Sequence, residues 1–248
     1  MVSCAVFAQS GTKRPNLLMI GKRGRYMEVA YLNELNANGF DIKGLSWDEI
    51  SPDVLREYHA IIITDFHNVM TKTNLDRKRQ RWIDDYMRAG GGVLVFLNTA
   101  GAYKSDYHPE VIKWLKTYGL DFHMECVEDP KNHIPLSPQN IKHRKAFWAG
   151  KIEKHPVTHD VGDLLIPSGW GGHTEAFCAP VFGNAQWKSV VWSGPEAVLT
   201  VKQNIPKGQW REKRPNGPLP LMAVRSVDKG RLAVIGVSPV WVAWTPYN

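Results

Sequence analysis

The sequence predicts an α/β fold: a doubly wound, mostly parallel sheet with helices on both faces, followed by an irregular, β-rich second half. Three observations carry that expectation. In the first part of the chain, short apolar runs alternate with helical patterns, as they do where strands are joined by helical crossovers. The runs themselves, such as Ala60-Ile61-Ile62-Ile63, are continuous, without the period-2 alternation of a strand that has one wet face. Finally, Gly90-Gly91-Gly92-Val93-Leu94-Val95-Phe96-Leu97-Asn98-Thr99-Ala100-Gly101 reads as a buried strand that enters a tight, small-residue turn and then a helix. With right-handed crossovers, such a sheet is flavodoxin-like.

The elements follow in order. Residues 16–21 form a short apolar run ending in glycine, and Met27 to Asn38 carries a helical pattern with Val29, Leu32 and Leu35 on one side. Gly39 closes that helix as a C-terminal cap. Phe40 to Trp47 reads as a second strand. Ser51-Pro52 opens a short helix, with serine as the cap and proline in the first turn. A third strand spans Ala60 to Phe66. An amphipathic helix from Asn74 to Gly90 follows, with Leu75, Trp82, Ile83, Tyr86 and Met87 as its apolar positions, and then strand 92–98.

The second half is less regular. A helix is expected over His108 to Tyr118 and a strand over Asp121 to Cys126, and residues 129–150, with three prolines, read as an irregular excursion. His155 to Trp170 holds short segments and a Gly-Trp-Gly-Gly turn. Strand-like pieces follow at 175–181, 189–192 and 197–201. Residues 204–218, rich in Pro, Gly, Lys and Arg, read as an exposed loop. Leu221–Ser226 and Arg231–Val237 flank a Val227-Asp228-Lys229-Gly230 turn and make a hairpin. No internal repeat and no clean boundary interrupts residues 11–248, which read as one domain.

At 248 residues, with 43% hydrophobic and 22% charged residues, the composition is that of a water-soluble globular protein. No apolar run approaches the ~18–20 residues that a spanning helix needs, so no membrane span is expected. The formal charge of +7 owes much to Arg77-Lys78-Arg79-Gln80-Arg81. That run reads as a solvated helix face; the alternative is a patch for an acidic polymer. No zinc-finger, helix-turn-helix or RNA-recognition signature accompanies it, and no nucleic-acid partner is expected.

Residues 1–10, Met-Val-Ser-Cys-Ala-Val-Phe-Ala-Gln-Ser, resemble the end of a secretory signal, with Val6-Phe7-Ala8 suited to cleavage before Gln9. The expectation is a remnant of a signal whose start lies outside this sequence, and a periplasmic or secreted protein. The chain ends in Trp241-Val242-Ala243-Trp244-Thr245-Pro246-Tyr247-Asn248, and such an aromatic end suggests an excised piece of a longer protein with further domains. Cys126 and Cys178 read as two buried thiols, with a disulfide in an oxidising compartment as the alternative. No Cys/His spacing suggests structural zinc, and no metal or cofactor is expected.

Three segments carry a resemblance. They are Ala89-Gly90-Gly91-Gly92-Val93-Leu94-Val95-Phe96 after a long helix, Lys154-His155-Pro156-Val157-Thr158-His159-Asp160-Val161, and Lys229-Gly230-Arg231-Leu232-Ala233-Val234-Ile235-Gly236. In their order and spacing they resemble the ThuA-like (trehalose-utilisation) group of the class I glutamine amidotransferase-like superfold, over about residues 16–240. The resemblance implies a sugar-related role. Members that work as amidotransferases would carry a cysteine at the turn after the central strand and a late His and Glu to activate it. Here the turn reads Asn98-Thr99-Ala100-Gly101, and the late strand ends in Gly236-Val237-Ser238-Pro239 without His-x-Glu. Glutamine hydrolysis by that mechanism is not expected.

In an open parallel sheet, ligands bind beyond the carboxyl ends of the strands. That rule selects Lys22 and Arg23 after the first strand, Asp65 and His67 after the third, and Asn98, Thr99 and Tyr103 after the fourth. Lys22 and Arg23 suit an anion, or are solvated turn charges. His67 could act as acid or base, or cap a helix. Asn98 and Thr99 could hydrogen-bond a ligand hydroxyl. In the second half, Trp170-Gly171-Gly172-His173-Thr174-Glu175 is the richest polar cluster, with His173 and Glu175 on one side of an extended chain. His155, His159 and Asp160 are possible companions, and buried structural polar groups are the alternative. Ten tryptophans offer faces for sugar rings, although core and interface packing is expected for most of them.

The expected function is therefore an extracytoplasmic domain that binds a carbohydrate or polyol, as a module of a polysaccharide-processing protein. The alternatives are a hydrolase or lyase acting on a glycoside through His67, His173 and Glu175, and a protein-interaction or assembly module.

Overall fold

The computed structural model describes residues 14–21, 32–33, 35–63, 75–97, 109–121, 125–135, 145–170, 175–176, 178–201, 212–215 and 217–237. In the first part, β1 (Asn16–Ile20) is followed by helical residues at 32–33 and 35–37, then β2 (Asp41–Leu45) and α1 (Pro52–Arg56). Next come β3 (Ala60–Ile63), α2 (Arg77–Arg88), β4 (Gly92–Phe96) and α3 (Pro109–Thr117). Short strands make up the rest: β5 (Leu120–Asp121), β6 (Glu125–Glu128), β7 (His133–Pro135), β8 (Lys145–Trp148), β9 (Lys151–Ile152), β10 (Leu165–Trp170) and β11 (Glu175–Ala176). They continue as β12 (Phe182–Gly183), β13 (Lys188–Trp192), β14 (Val198–Val201), β15 (Glu212–Pro215), β16 (Pro220–Val227) and β17 (Gly230–Ile235).

The main sheet has eight strands in the order β2-β1-β3-β4-β17-β16-β13-β9. Its first five strands are parallel to their neighbours; β16, β13 and β9 extend it antiparallel. This is the flavodoxin-like, mostly parallel architecture that the apolar runs predict. The register lines Leu18, Ile61, Val93 and Leu232 in one row and Ile20, Ile63, Val95 and Val234 in the next. All eight are buried, and all face the same side.

Ile83 and Met87 of α2 are fully buried. Tyr118, which follows α3, is bonded to Asp84 of α2 and stacked under Arg225, the cross-strand partner of Leu232, so α2 and α3 lie on this face. On the other face, a Cβ at Gly44, the partner of Met19, would touch Leu32 at 3.4 Å, which puts the first helix there. Helices cover both faces, and each buried Leu or Ile contributes about 1.5–3 kcal/mol to the core.

Local signals explain most element ends. Gly39 has φ +90 after the first helix, where a cap was expected. Ser51 Oγ accepts from the Val54 amide, with Pro52 in the first turn of α1. Asp76 caps α2 by accepting from Arg79 N at 2.8 Å, so Leu75 precedes the helix instead of opening it. The three-glycine entry to β4 has a steric cause. Gly90 has φ +117, and a Cβ at Gly91 would stand 2.2 Å from the Tyr86 ring. The hairpin β16–β17 forms as expected, with Asp228 at φ 50 in its turn.

The basic run on α2 is a solvated face only in part. Arg77, Lys78 and Arg81 are exposed, but Arg79 bonds Asp48 and Asp76 at 3.0 Å each and the Trp47 carbonyl at 3.0 Å. It is a structural cation tying α2 to the turn after β2.

Other boundaries move. The second strand stops at Leu45 because Ser46 and Glu49 form a capping box that draws Trp47 into a 3-10 turn, Trp47–Glu49. The expected strand 121–126 is two strands, β5 and β6. The excursion at 129–150 supplies β7 and β8, which join β10 and β11 in a four-stranded sheet ordered β11-β10-β8-β7. Pro135 masked that pairing in the sequence, yet β7 is an edge strand, where proline is tolerated. The expected strand 175–181 is strand only at β11. Glu212-Lys213-Arg214-Pro215, placed in an exposed loop by its composition, is the edge strand β15, paired to β14. Edge strands are commonly charged, so composition alone is silent about them.

Candidate functional site

The parallel strands deliver their carboxyl ends to one edge of the sheet. Ile20 lies beside Ile63, Ile63 beside Val95, and Phe96 beside Ile235. Beyond those ends the backbone is fixed at three points. Gly21 N–H donates to the Leu45 carbonyl at 3.0 Å, Leu97 N–H to Ile235 O at 2.8 Å, and Gly236 N–H to Leu221 O at 2.9 Å. Lys22, Asp65, Asn98 and Ser238 follow these strand ends within three residues in the chain.

A segment of the second half closes on the same edge. Ala179 N–H donates to Gly236 O at 2.6 Å, Val181 N–H to Pro220 O at 2.8 Å, and Val127 N–H to Cys178 O at 2.7 Å. Residues 178–181 are buried between the strand ends and β6. Their fit is tight: a Cβ at Gly236 would stand 1.8 Å from the Ala179 carbonyl oxygen. Glu175 precedes Ala179 by four residues, so its backbone lies within ~14 Å of this edge. In β10 and β11, Trp170 pairs with Glu175 in antiparallel register. The chain therefore carries β11 to within reach of the carboxyl edge, a link the sequence did not reveal.

The candidate residues divide accordingly. Trp170 and Glu175 are paired backbone neighbours. Lys22, Arg23, Asp65, His67, Asn98, Thr99, Tyr103 and His173 lie outside the described residues. His155 is not at this edge. It caps the 3-10 turn Pro156–Thr158, its Nδ1 accepting from Val157 N–H at 3.3 Å, and it lines a cavity with Arg231 at the other end of β17. His159 is exposed and pairs with Asp160 at 2.8 Å. Among the described residues, no group of three or more His, Cys, Asp and Glu side chains could hold a metal ion. No helix among them is long and apolar enough to cross a membrane.

Buried polar groups near the edge have structural work. Asp129 is 3% exposed; Oδ2 accepts from Gly194 N–H at 2.8 Å and from the Asn132 amide at 2.9 Å, and Oδ1 from Asn132 N–H at 3.2 Å. Ser193 Oγ accepts from Leu219 N–H at 2.8 Å. Cys126 and Cys178 are both buried thiols with no disulfide between them, as the sequence suggests. Burial, and then the neighbouring Cys126, push the Cys178 thiol up, well away from reactive thiolate. Of the tryptophans, Trp47, Trp114 and Trp187 belong to the core, and Trp187 Nε1 donates to the Tyr118 carbonyl at 2.8 Å. Trp148, at 41%, is exposed.

The architecture recurs in solved structures. A ThuA-like protein from Bacteroides uniformis superposes with a TM-score of 0.52 at 15% identity, over 96% of this chain and 93% of that one. The fold is that of the ThuA-like proteins. A cytoplasmic protein of Salmonella typhimurium gives a TM-score of 0.53 at 15% identity, over 92% of this chain and 93% of the other. A glutamine amidotransferase from Thermotoga maritima is similar at a TM-score of 0.46 and 10% identity, over 91% and 76% of the two chains. No family model matches the sequence, and no curated protein matches it. At these identities the likeness is one of fold.

Proposed function

We propose that this ThuA-like domain binds a carbohydrate or polyol at the carboxyl edge of its parallel sheet and does not carry out amidotransfer. The observation that carries the reading is the identity of the residues that follow β4. Leu97 is bonded to Ile235 at the centre of that edge, and the next residues are Asn98-Thr99-Ala100-Gly101, where the amidotransferase mechanism needs a thiolate. Asn and Thr supply amide and hydroxyl groups that pair with sugar hydroxyls. Neither cysteine of the described residues substitutes for the missing thiol, since both are buried and the Cys178 thiol is pushed up. Trp170, the backbone partner of Glu175, is an aromatic residue of the second-half cluster.

Residues 1–10 support a periplasmic or secreted location for the domain. Cell fractionation of the full-length gene product tests this; recovery in the cytoplasm would overturn it.

The binding test is a glycan array followed by calorimetric titration of the folded chain. Binding of a neutral glycan, weakened about tenfold in Asn98→Ala or Thr99→Ala by loss of a buried hydrogen bond, supports the reading. A folded sample that binds no glycan overturns it.

A further inference from the structure

A cavity of about 280 Å³ lies at the amino-terminal end of β17, one strand length from Gly236. Its floor is the sheet face opposite α2 and α3. Lys188, Val224 and Ala233 stand abreast on β13, β16 and β17, and Ser226 and Arg231 form the next cross-strand pair on that face. Its wall is His155-Pro156-Val157. That wall is held by Glu153 N–H on Val190 O at 2.8 Å and by the Thr158 hydroxyl on Glu153 O at 2.6 Å.

The charged side chains that line this cavity are, among the described residues, all basic, and the carboxylate of Glu153, which feels Lys188, is held by Lys151. No carboxylate among the described residues lines the cavity. Among the described residues, neither Lys188 nor Arg231 has a carboxylate within ion-pair distance: Glu153 is taken by Lys151 at 2.6 Å and Asp228 by Arg88 at 3.7 Å. His155 accepts a hydrogen bond at Nδ1, so its neutral form carries the proton on Nε2 and has a donor to offer. His155, Lys188 and Arg231 all line the cavity, and burial and then the two cations lower the His155 pKa. Arg225 lies across the sheet; its guanidinium donates to the Tyr118 carbonyl and covers the Tyr118 ring, so it adds no charge on this side. Val224, Ala233, Pro156 and Val157 make the remaining lining apolar.

We propose that this cavity binds a small organic anion, its carboxylate or phosphate group held by Lys188, Arg231 and His155 and its apolar part seated on Val224, Ala233, Pro156 and Val157. Two long cations whose backbones stand about 12 Å apart, two strand spacings across and two residues along the sheet, bracket one anionic group. The volume, just under the ~300 Å³ at which ligand pockets begin, suits a single ring or a short aliphatic chain. The site is independent of glycan binding at the carboxyl edge, and either could fail without the other.

The test is calorimetric titration of the whole folded chain at low salt with phenyl phosphate, benzoate and inorganic phosphate. Phenyl phosphate or benzoate should bind, and whichever is tighter names the anionic group. Inorganic phosphate should bind about tenfold more weakly, because it buries no apolar surface. Arg231→Gln and Lys188→Gln should each weaken binding about tenfold, the loss of one charged hydrogen bond. Arg231→Lys should recover part of it, and Lys229→Ala, outside the cavity, should change nothing. The His155 imidazole resonances should shift on binding and its pKa should rise, as a bound anion offsets Lys188 and Arg231. Failure of both organic anions to bind, binding equal to that of inorganic phosphate, or affinity unchanged in the folded Gln variants would overturn the proposal.

Discussion

Ala179 donates its amide proton to the carbonyl of Gly236 at 2.6 Å, joining a buried loop of the second half to the last parallel strand of the first sheet. That bond makes one unit of two regions that look unrelated in the sequence. It also explains the glycine, since any side chain at 236 meets the Ala179 carbonyl oxygen.

Gly236→Ala is therefore expected to cost about 3 kcal/mol, as overpacking of a well-packed interior does. A fall in the urea midpoint at unchanged slope would show it. Equal stability to the parent would mean that residues 178–181 do not hold the edge closed.

Asp129→Ala should cost about 2–3 kcal/mol by leaving the buried Gly194 amide without its acceptor. Asp129→Asn keeps an acceptor oxygen and should lose less. Thermal unfolding of the two variants checks the order; if they lose equally, the negative charge matters more than the acceptor.

Alkaline pH should destabilise the fold through Tyr86. Burial pushes its phenol up to about 12, and its hydroxyl donates to the Tyr58 carbonyl at 3.1 Å. The folded state holds this proton more tightly than the unfolded chain, whose tyrosine titrates near ~10. The stability is fully present below that pH and is lost as pH rises from ~10 toward ~12. Tyr86→Phe should be less stable at pH 7 by about 1 kcal/mol and lose less over that window. Urea titrations at neutral and alkaline pH would measure both.

Cys178 should resist alkylation in the native state at mildly alkaline pH and react once the chain is unfolded, because burial keeps the thiol protonated. Mass spectrometry after iodoacetamide treatment, with and without urea, reads this directly. Rapid native labelling would place the thiol in an accessible site.

His173→Ala separates the binding module from a glycoside-cleaving enzyme. For a binding module no hydrolytic activity is lost, because none is present. Loss of a measured glycosidase or lyase activity at an unchanged melting temperature would favour catalysis, whereas a fall in the melting temperature would assign a structural histidine.

The first sheet was legible because each strand announces itself locally. Ile61, Ile62 and Ile63 need burial on both faces, Ser51 and Pro52 start a helix by their own chemistry, and the glycines at 90 and 91 answer to φ and to the Tyr86 ring. The second half was not legible in the same way. β15 is Glu-Lys-Arg-Pro and β7 contains a proline; each is a strand only because β14 or β8 offers a partner from elsewhere in the chain. The site divides likewise. Residues after the parallel strands could be named from the topology rule, and the link from Ala179 to Gly236 could not.

The sequence by itself determined the α/β class, the buried strands, the caps and the absence of a thiol after β4, since apolar runs, turn chemistry and residue identity are local properties. Only the tertiary structure decided that β17 pairs with β4, that Ala179 closes on Gly236, and that Lys188, Arg231 and His155 share one cavity. Those contacts join residues far apart in the chain, and their stability comes from mutual burial and pairing that no single segment encodes.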